Sequence, residues 1–86
     1  MTASYQYAKR LSEIPRYERD GKTFIDDTQL MNVIEELFHY WNYKQVFHSY
    51  DESKDVMYWT FMDGSCLTIS NGYQHKGKPA TYQARG

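Results

Sequence analysis

The sequence has few of the features that would place it in a specialised class of protein. A single cysteine, Cys66, among 86 residues excludes an internal disulfide framework and fits a reducing compartment. No run of about 18 apolar residues is present, so no segment is expected to span a membrane. No basic stretch followed by an apolar one opens the chain, so we expect no secretory signal. We therefore expect one small domain, residues 1–86, in the cytoplasm.

Charge of one sign is also missing, because 10 basic residues oppose 11 acidic ones and the formal net charge is -1. This balance argues against a basic DNA-wrapping protein and against an acidic DNA mimic. The charge is unevenly distributed: residues 1–25 carry net +2, residues 26–63 net -6 and residues 64–86 net +3. Phosphate contacts need clustered positive charge, so nucleic acid is disfavoured as a partner and is retained only as an alternative that uses the basic ends.

Leu, Ile, Val and Phe together are few, whereas aromatic residues as a group are many. Leu, Ile, Val and Phe make up 15 of the 86 residues, which is below the roughly 20% that signals disorder when net charge is high. Fifteen aromatic residues, nine of them tyrosine, compensate, because each aromatic side chain buries roughly 150–250 Å². Tyrosine is also enriched at protein interfaces. We expect an aromatic-rich core and some tyrosines that serve recognition.

The clearest periodic pattern predicts an amphipathic helix over residues 28–42. Asp26 followed by Gln29 resembles a capping box at its start. The apolar stripe recurs at helical spacing and contains Leu30, Val33, Ile34, Leu37, Phe38 and Trp41.

The segments on either side of this helix are less regular. Residues 3–14 suit a short helix or a strand, and Pro15 ends either one. Residues 15–22 predict a polar loop and residues 23–25 a short extended piece. Residues 71–86 contain Gly and Pro without periodicity, which predicts an extended or disordered tail.

Three strands are expected after the helix, at residues 44–50, 56–62 and 65–70, because these segments are rich in aromatic and β-branched residues. The sequence therefore predicts an α+β fold in which residues 26–70 form one main helix packed on a three-stranded antiparallel meander. Residues 1–25 add a helical or extended N-terminal segment.

The Asp63-Gly64 dipeptide predicts a two-residue type I′ hairpin turn, which fixes the register of the last two strands. The expected cross-strand pairs are Met62 with Ser65, Thr60 with Leu67, and Tyr58 with Ile69.

This register gives the sheet two apolar faces. One face is expected to collect Val46, Tyr50, Val56, Tyr58, Leu67 and Ile69. The other is expected to collect Phe47, Met57, Trp59, Phe61 and Cys66. One helix covers only one face of a sheet, so the second face needs residues 3–25, a second copy of the chain, or another partner. The candidate dimer seam or second interface is Phe47, Met57, Trp59 and Phe61.

No pattern of residues predicts catalysis or metal binding. The soft ligands do not follow a zinc-type spacing, and they are His39, His48, His75 and Cys66. Cys66 lies in the middle of a strand, where a thiol is normally inert. We therefore expect a protein that is not an enzyme and that uses no metal or cofactor.

The polar side of the helix predicts a protein-binding surface. Glu36, His39 and Tyr43 lie within a narrow arc of the helix, with Tyr40 at its edge. Tyrosines supply binding energy at interfaces, while carboxylates steer and orient a basic partner. Glu36, His39, Tyr40 and Tyr43 are the candidate partner-binding residues.

The segment Tyr58–Leu67, with the sequence YWTFMDGSCL, resembles a hairpin pattern in small phage and prophage proteins, some anti-CRISPR proteins among them. That resemblance implies a phage-encoded inhibitor that binds a host defence protein or complex in the host cytoplasm without enzymatic chemistry. The alternatives are a homodimeric structural or regulatory module and a nucleic-acid-binding accessory protein.

Overall fold

The computed structural model describes residues 1–86 as two helices and six strands. The helices are α1 (Ala3–Ser12) and α2 (Asp27–Asn42). Strands β1 (Arg16–Arg19) and β2 (Lys22–Ile25) form a separate antiparallel hairpin. Strands β3 (Val46–Asp51), β4 (Val56–Phe61), β5 (Cys66–Ser70) and β6 (Thr81–Arg85) form an antiparallel sheet in the order β3-β4-β5-β6. The predicted α+β class is confirmed, but the single helix on three strands becomes two helices, a hairpin and four strands.

Helix α2 forms close to where its apolar stripe predicted it. The side chain of Asp26 accepts a hydrogen bond from the backbone N–H of Gln29 at 3.0 Å, which satisfies one of the free donors of the first turn. The stripe packs into the core through Leu30, Val33, Ile34 and Leu37. Trp41, at the end of the same stripe, stays 44% exposed.

Two segments predicted to lack regular structure form strands. Residues 15–22, predicted as a loop, contribute β1 and the start of β2, because Asp20 and Gly21 both have positive φ and close a tight hairpin. The predicted tail, residues 71–86, contributes β6, which completes the sheet beside β5. Tyr82 and Ala84 of β6 pack against the core and alternate with exposed residues, as in a half-buried strand.

The register of the β4–β5 hairpin is one residue away from the prediction. Trp59 pairs with Leu67, and the connection is a three-residue loop that ends at Gly64, whose φ is +84°. The N–H of Gly64 donates to the carbonyl of Phe61, which is the geometry of a turn followed by a bulge. A shift of one residue transfers every side chain of a strand to the opposite face.

The predicted composition of the two faces is corrected accordingly. Met57, Trp59 and Phe61, three of the four residues assigned to a dimer seam, are buried beneath the helices instead. Only Phe47 of that set is exposed, at 67%. Helix α1 lies over β5 and β6 while α2 lies over β3, so both helices cover the same face of the sheet. The opposite face has no covering element.

The turn between β4 and β5 also holds the start of α1, whose own N-cap residue makes no side-chain cap bond. The carboxylate of Asp63 accepts from the N–H of Ala3 at 2.9 Å, and the hydroxyl of Ser65 accepts from the N–H of Ser4 at 3.1 Å. Hydrogen bonds from Ser65 and then from the Ala3 N–H hold the pKa of Asp63 below its usual range. Asp63 and Ser65 of the β4–β5 turn thus serve the fold directly.

Candidate functional site

The predicted partner-binding residues form one surface at the C-terminal half of α2, here called the α2 tyrosine surface (Glu36, His39, Tyr40 and Tyr43). The ring of His39 lies 4.8 Å from that of Tyr43 and 5.8 Å from that of Tyr40, measured between centroids. Tyr43, which caps the helix, is 68% exposed, and Tyr40 is more than a third exposed. The three rings form a continuous aromatic patch on an acidic helix.

Glu36 lies at the edge of this surface and is engaged within the chain. Its carboxylate accepts hydrogen bonds from the hydroxyl of Tyr7, at 2.7 Å, and from the guanidinium of Arg10. Burial alone would raise the pKa of Glu36, but these two hydrogen bonds outweigh it and hold that pKa below its usual range. Burial and the bond to Glu36 raise the pKa of the Tyr7 hydroxyl. Glu36 therefore joins α1 to α2 and is only partly free to contact a partner.

A second exposed surface is the uncovered side of the sheet, here called the outer sheet face. Its side chains alternate with the buried ones and include Phe47, Ser49, Tyr58, Thr60, Cys66 and Thr68. Phe47 and Tyr58 are its two exposed aromatic residues, and most of the rest of the face is polar, including Gln83 and Arg85 of β6. This face replaces the apolar one that the sequence predicted, and it is much more polar.

A third feature, which the sequence did not predict as a site, is a cleft between the end of α2, the edge strand β3 and the loop after β5. This aromatic cleft has a volume of about 310 Å³ and is lined mainly by Phe38, Trp41, His48, Tyr50, Met57 and Tyr73. Trp41 and Tyr73 stand half exposed at its sides. The signal is present in these aromatic residues, but the sequence predicts Tyr73 in an extended or disordered tail and Trp41 in the apolar stripe of α2.

The rings of the aromatic cleft contact one another in a continuous network. Phe38 is at its centre, with centroids 6.1 Å from Trp41, 6.3 Å from Tyr73 and 5.2 Å from His48. The ring of Tyr73 also lies 5.5 Å from that of Tyr50 in an edge-to-face arrangement. Ring pairs at such distances contribute about 0.5–1.5 kcal/mol beyond the area they bury.

His48 is held on the inner side of the cleft in one tautomer. Its ring stacks on the buried Trp59 with centroids 3.8 Å apart. Its Nδ1 lies 3.1 Å from the carbonyl oxygen of Tyr58, which can only accept, so Nδ1 carries the proton of the neutral ring. Burial lowers the pKa of His48 more than this hydrogen bond raises it. His48 therefore adds no positive charge to the cleft at neutral pH.

The buried carboxylate of Asp55 holds two walls of the cleft together. This residue is only 2% exposed, and its φ of +52° places it in the left-handed region at the end of the β3–β4 turn. Its carboxylate accepts from the hydroxyl of Tyr50 at 2.8 Å and from the backbone N–H groups of Gln74 and His75 at 3.0 and 3.1 Å. Asp55 thus anchors the loop that carries Tyr73 to the strand that carries Tyr50.

The structure separates the one cysteine from the histidine of β3. Cys66 belongs to the outer sheet face, whereas His48 points to the helix side of the sheet, so the two cannot act as a nucleophile and its base. No three His, Cys, Asp or Glu side chains come together as metal ligands. Neither helix has the length and apolar character needed to cross a bilayer.

Comparison with protein-family models, with curated proteins and with solved structures gives no match for this chain. The α2 tyrosine surface, the outer sheet face and the aromatic cleft are therefore the features from which a function can be inferred.

Proposed function

We propose that this chain is a small protein-binding module that acts by stoichiometric association and not by catalysis. The observation that carries the proposal is the aromatic patch at the end of α2, where the ring of His39 contacts those of Tyr40 and Tyr43 at an angle and all three side chains are exposed. Exposed aromatic side chains in contact with one another are typical anchors of protein interfaces, because they bury a large area and lose little conformational entropy.

The distribution of charge along the chain favours a basic partner. Residues 26–63, which include α2, carry net -6, whereas the chain as a whole is nearly neutral. A negative surface beside tyrosine anchors speeds association with a positive one and disfavours acidic partners. Since Glu36 is held by Tyr7 and Arg10, we assign the binding energy to the tyrosines and the steering to the acidic segment as a whole.

The test is capture of a partner on the immobilised chain, followed by purification of the complex and measurement of its stoichiometry and affinity. The Tyr40→Ala and Tyr43→Ala substitutions together should weaken binding by a few kcal/mol, which is more than a hundredfold. Phe47→Ala is the matched control, because it removes an equally exposed ring from a different face. Unchanged affinity in the double variant, or a loss in Phe47→Ala alone, would refute the assignment to the α2 tyrosine surface.

We further propose that the partner is a host defence protein or complex and that the chain is a phage-encoded inhibitor of the anti-CRISPR kind. The support is the resemblance of the Tyr58–Leu67 segment. Expression of the chain in a host that carries an active CRISPR system should restore plating of a targeted phage. No restoration in any such host would refute this narrower proposal, whereas restoration that persists in the double tyrosine variant would refute the assignment to the α2 tyrosine surface.

The outer sheet face favours a second candidate function, self-association into a homodimer. Phe47 and Tyr58 on this face, and Met62 at its end, are exposed large side chains with no neighbour to cover them. A glutamate in place of Phe47 should dissociate such a dimer, which sedimentation would detect as a halved mass. A wild-type mass of 10.3 kDa, that of one chain, would exclude the dimer.

A further inference from the structure

The aromatic cleft is limited in size and in chemistry. Its volume of about 310 Å³ lies at the lower limit of small-ligand pockets, which span roughly 300–1,000 Å³, so it fits one side chain better than a larger molecule. Its wall is formed by four aromatic rings, by the imidazole of His48 and the thioether of Met57, and by Ser49. Aromatic faces carry negative potential, and a cation within about 6 Å of a ring centroid is attracted to it.

The charges around the cleft also favour a cation. In the β3–β4 segment that forms one wall, Asp51, Glu52 and Asp55 outnumber Lys54. The carboxylate of Asp55 accepts a hydrogen bond from the hydroxyl of Tyr50, which keeps this carboxylate beside the cleft.

Two lysines border the cleft along the chain, Lys54 in the β3–β4 turn and Lys44 after α2, and the three carboxylates outnumber them. Two more lysines follow Tyr73 in its loop. Lys76 and Lys78 follow His75, which lies 3.8 Å from Asp27 at the start of α2. Along the helix, Asp27 is about 16 Å from Phe38 at the centre of the cleft. The lysines of this loop therefore do not neutralise the cleft.

We propose that the aromatic cleft binds an arginine side chain of the protein partner, with its guanidinium held between the rings of Trp41 and Tyr73. Arginine fits better than lysine because its flat, weakly hydrated guanidinium stacks on aromatic faces and loses less solvation on entry. The net charge of -6 in residues 26–63 selects a basic partner surface that would present such a residue. This inference rests on the proposed function and names the chemistry by which the partner is recognised.

The probe is N-acetyl-arginine amide, titrated into the purified chain while the indole signal of Trp41 is followed by NMR. N-acetyl-citrulline amide has the same shape without the charge, and N-acetyl-leucine amide supplies an apolar side chain. We expect saturable binding of the arginine probe in the millimolar range, with the other two at least tenfold weaker.

Two variants locate the binding. Trp41→Leu and Tyr73→Leu keep an apolar side chain at half-exposed positions and remove the ring, and each should weaken the arginine probe by about tenfold, which is about 1.4 kcal/mol. Trp41→Phe retains a ring and should recover most of the affinity. Phe47→Leu, on the outer sheet face, should bind as the wild type does. Circular dichroism of each variant confirms that it is folded before the titration is interpreted.

The proposal is overturned if citrulline or leucine binds as well as arginine, if the arginine probe does not saturate, or if folded Trp41→Leu and Tyr73→Leu proteins bind it unchanged. Tyr40→Ala and Tyr43→Ala should leave the probe's affinity unaltered. The aromatic cleft and the α2 tyrosine surface can therefore fail separately.

Discussion

Replacement of Asp55 is the most informative perturbation of this fold, because one buried carboxylate holds two parts of the chain together. Asp55→Ala removes the acceptor for the hydroxyl of Tyr50 and for the N–H groups of Gln74 and His75. It also places alanine at a φ of +52°, which aspartate tolerates better than alanine does.

The expected decrease in the free energy of unfolding follows from these contacts. Each hydrogen bond to a charged group contributes about 1.5–3 kcal/mol, and each buried donor left without an acceptor costs about 1–3 kcal/mol. Because the loop can admit water to some of these donors, we expect Asp55→Ala to lower the free energy of unfolding by about 3–5 kcal/mol. A domain of this length has about 4–13 kcal/mol in total, so the variant lies close to unfolding.

Two matched substitutions separate the causes. Asp55→Asn keeps one carbonyl oxygen and tolerates the left-handed backbone, so it should cost about 1–2 kcal/mol. Asp55→Gly removes the backbone strain and should be about 1 kcal/mol more stable than Asp55→Ala. Urea unfolding measures the free energies, and hydrogen exchange at Gln74 and His75 measures the loss of anchoring. A cost below 1 kcal/mol for Asp55→Ala, or unchanged protection of those two amides, would refute the reasoning.

Three further substitutions or conditions have defined outcomes in urea unfolding. Ser65→Ala leaves the N–H of Ser4 without its acceptor and should cost about 1–3 kcal/mol, and a cost near zero would contradict its role in holding α1. Gly72→Ala places a Cβ 2.6 Å from Cγ2 of Ile69, which should cost about 1–3 kcal/mol through overpacking, and a neutral result would show that Ile69 yields freely. Burial depresses the pKa of His48 in the folded chain, so its contribution to stability is complete above about pH 6.5 and is lost as the pH falls through the folded-state pKa. That part of the pH dependence should be absent from His48→Gln, and an identical pH profile in the variant would refute it.

The sequence was informative where one periodicity dominated. The stripe from Leu30 to Leu37 predicted α2 and its buried face, because an amphipathic helix can be recognised from its own residues. Asp26 predicted the helix start for the same reason, since its capping bond to Gln29 spans only three positions.

The parts that depended on a single turn were predicted less well. Asp63-Gly64 fits both a two-residue and a three-residue hairpin loop, and the choice depends on Ser65, which bonds both to Asp63 and to α1. That contact joins residues about sixty positions apart and cannot be read from the local pattern. Because the observed register differs from the predicted one by one residue, Trp59 lies in the core and not at the predicted interface.

The aromatic cleft was missed for a related reason. Its walls come from α2, β3 and the loop that carries Tyr73, and they are brought together by the buried Asp55. Each aromatic residue taken alone fits a core position or a tail. The hydrogen bonds from Gln74 and His75 to the carboxylate of Asp55, and from the N–H of Asn71 to its carbonyl, show that the loop is fixed against the hairpin.

The central claim is that the chain binds a protein through the end of α2, and light scattering of a purified complex tests it most directly. We predict that the free chain has a mass of 10.3 kDa, that the captured partner forms a complex of whole-number stoichiometry with it, and that Tyr40→Ala with Tyr43→Ala abolishes that complex. A free chain of twice that mass that captures no partner, or a complex that the two substitutions leave intact, would contradict the account.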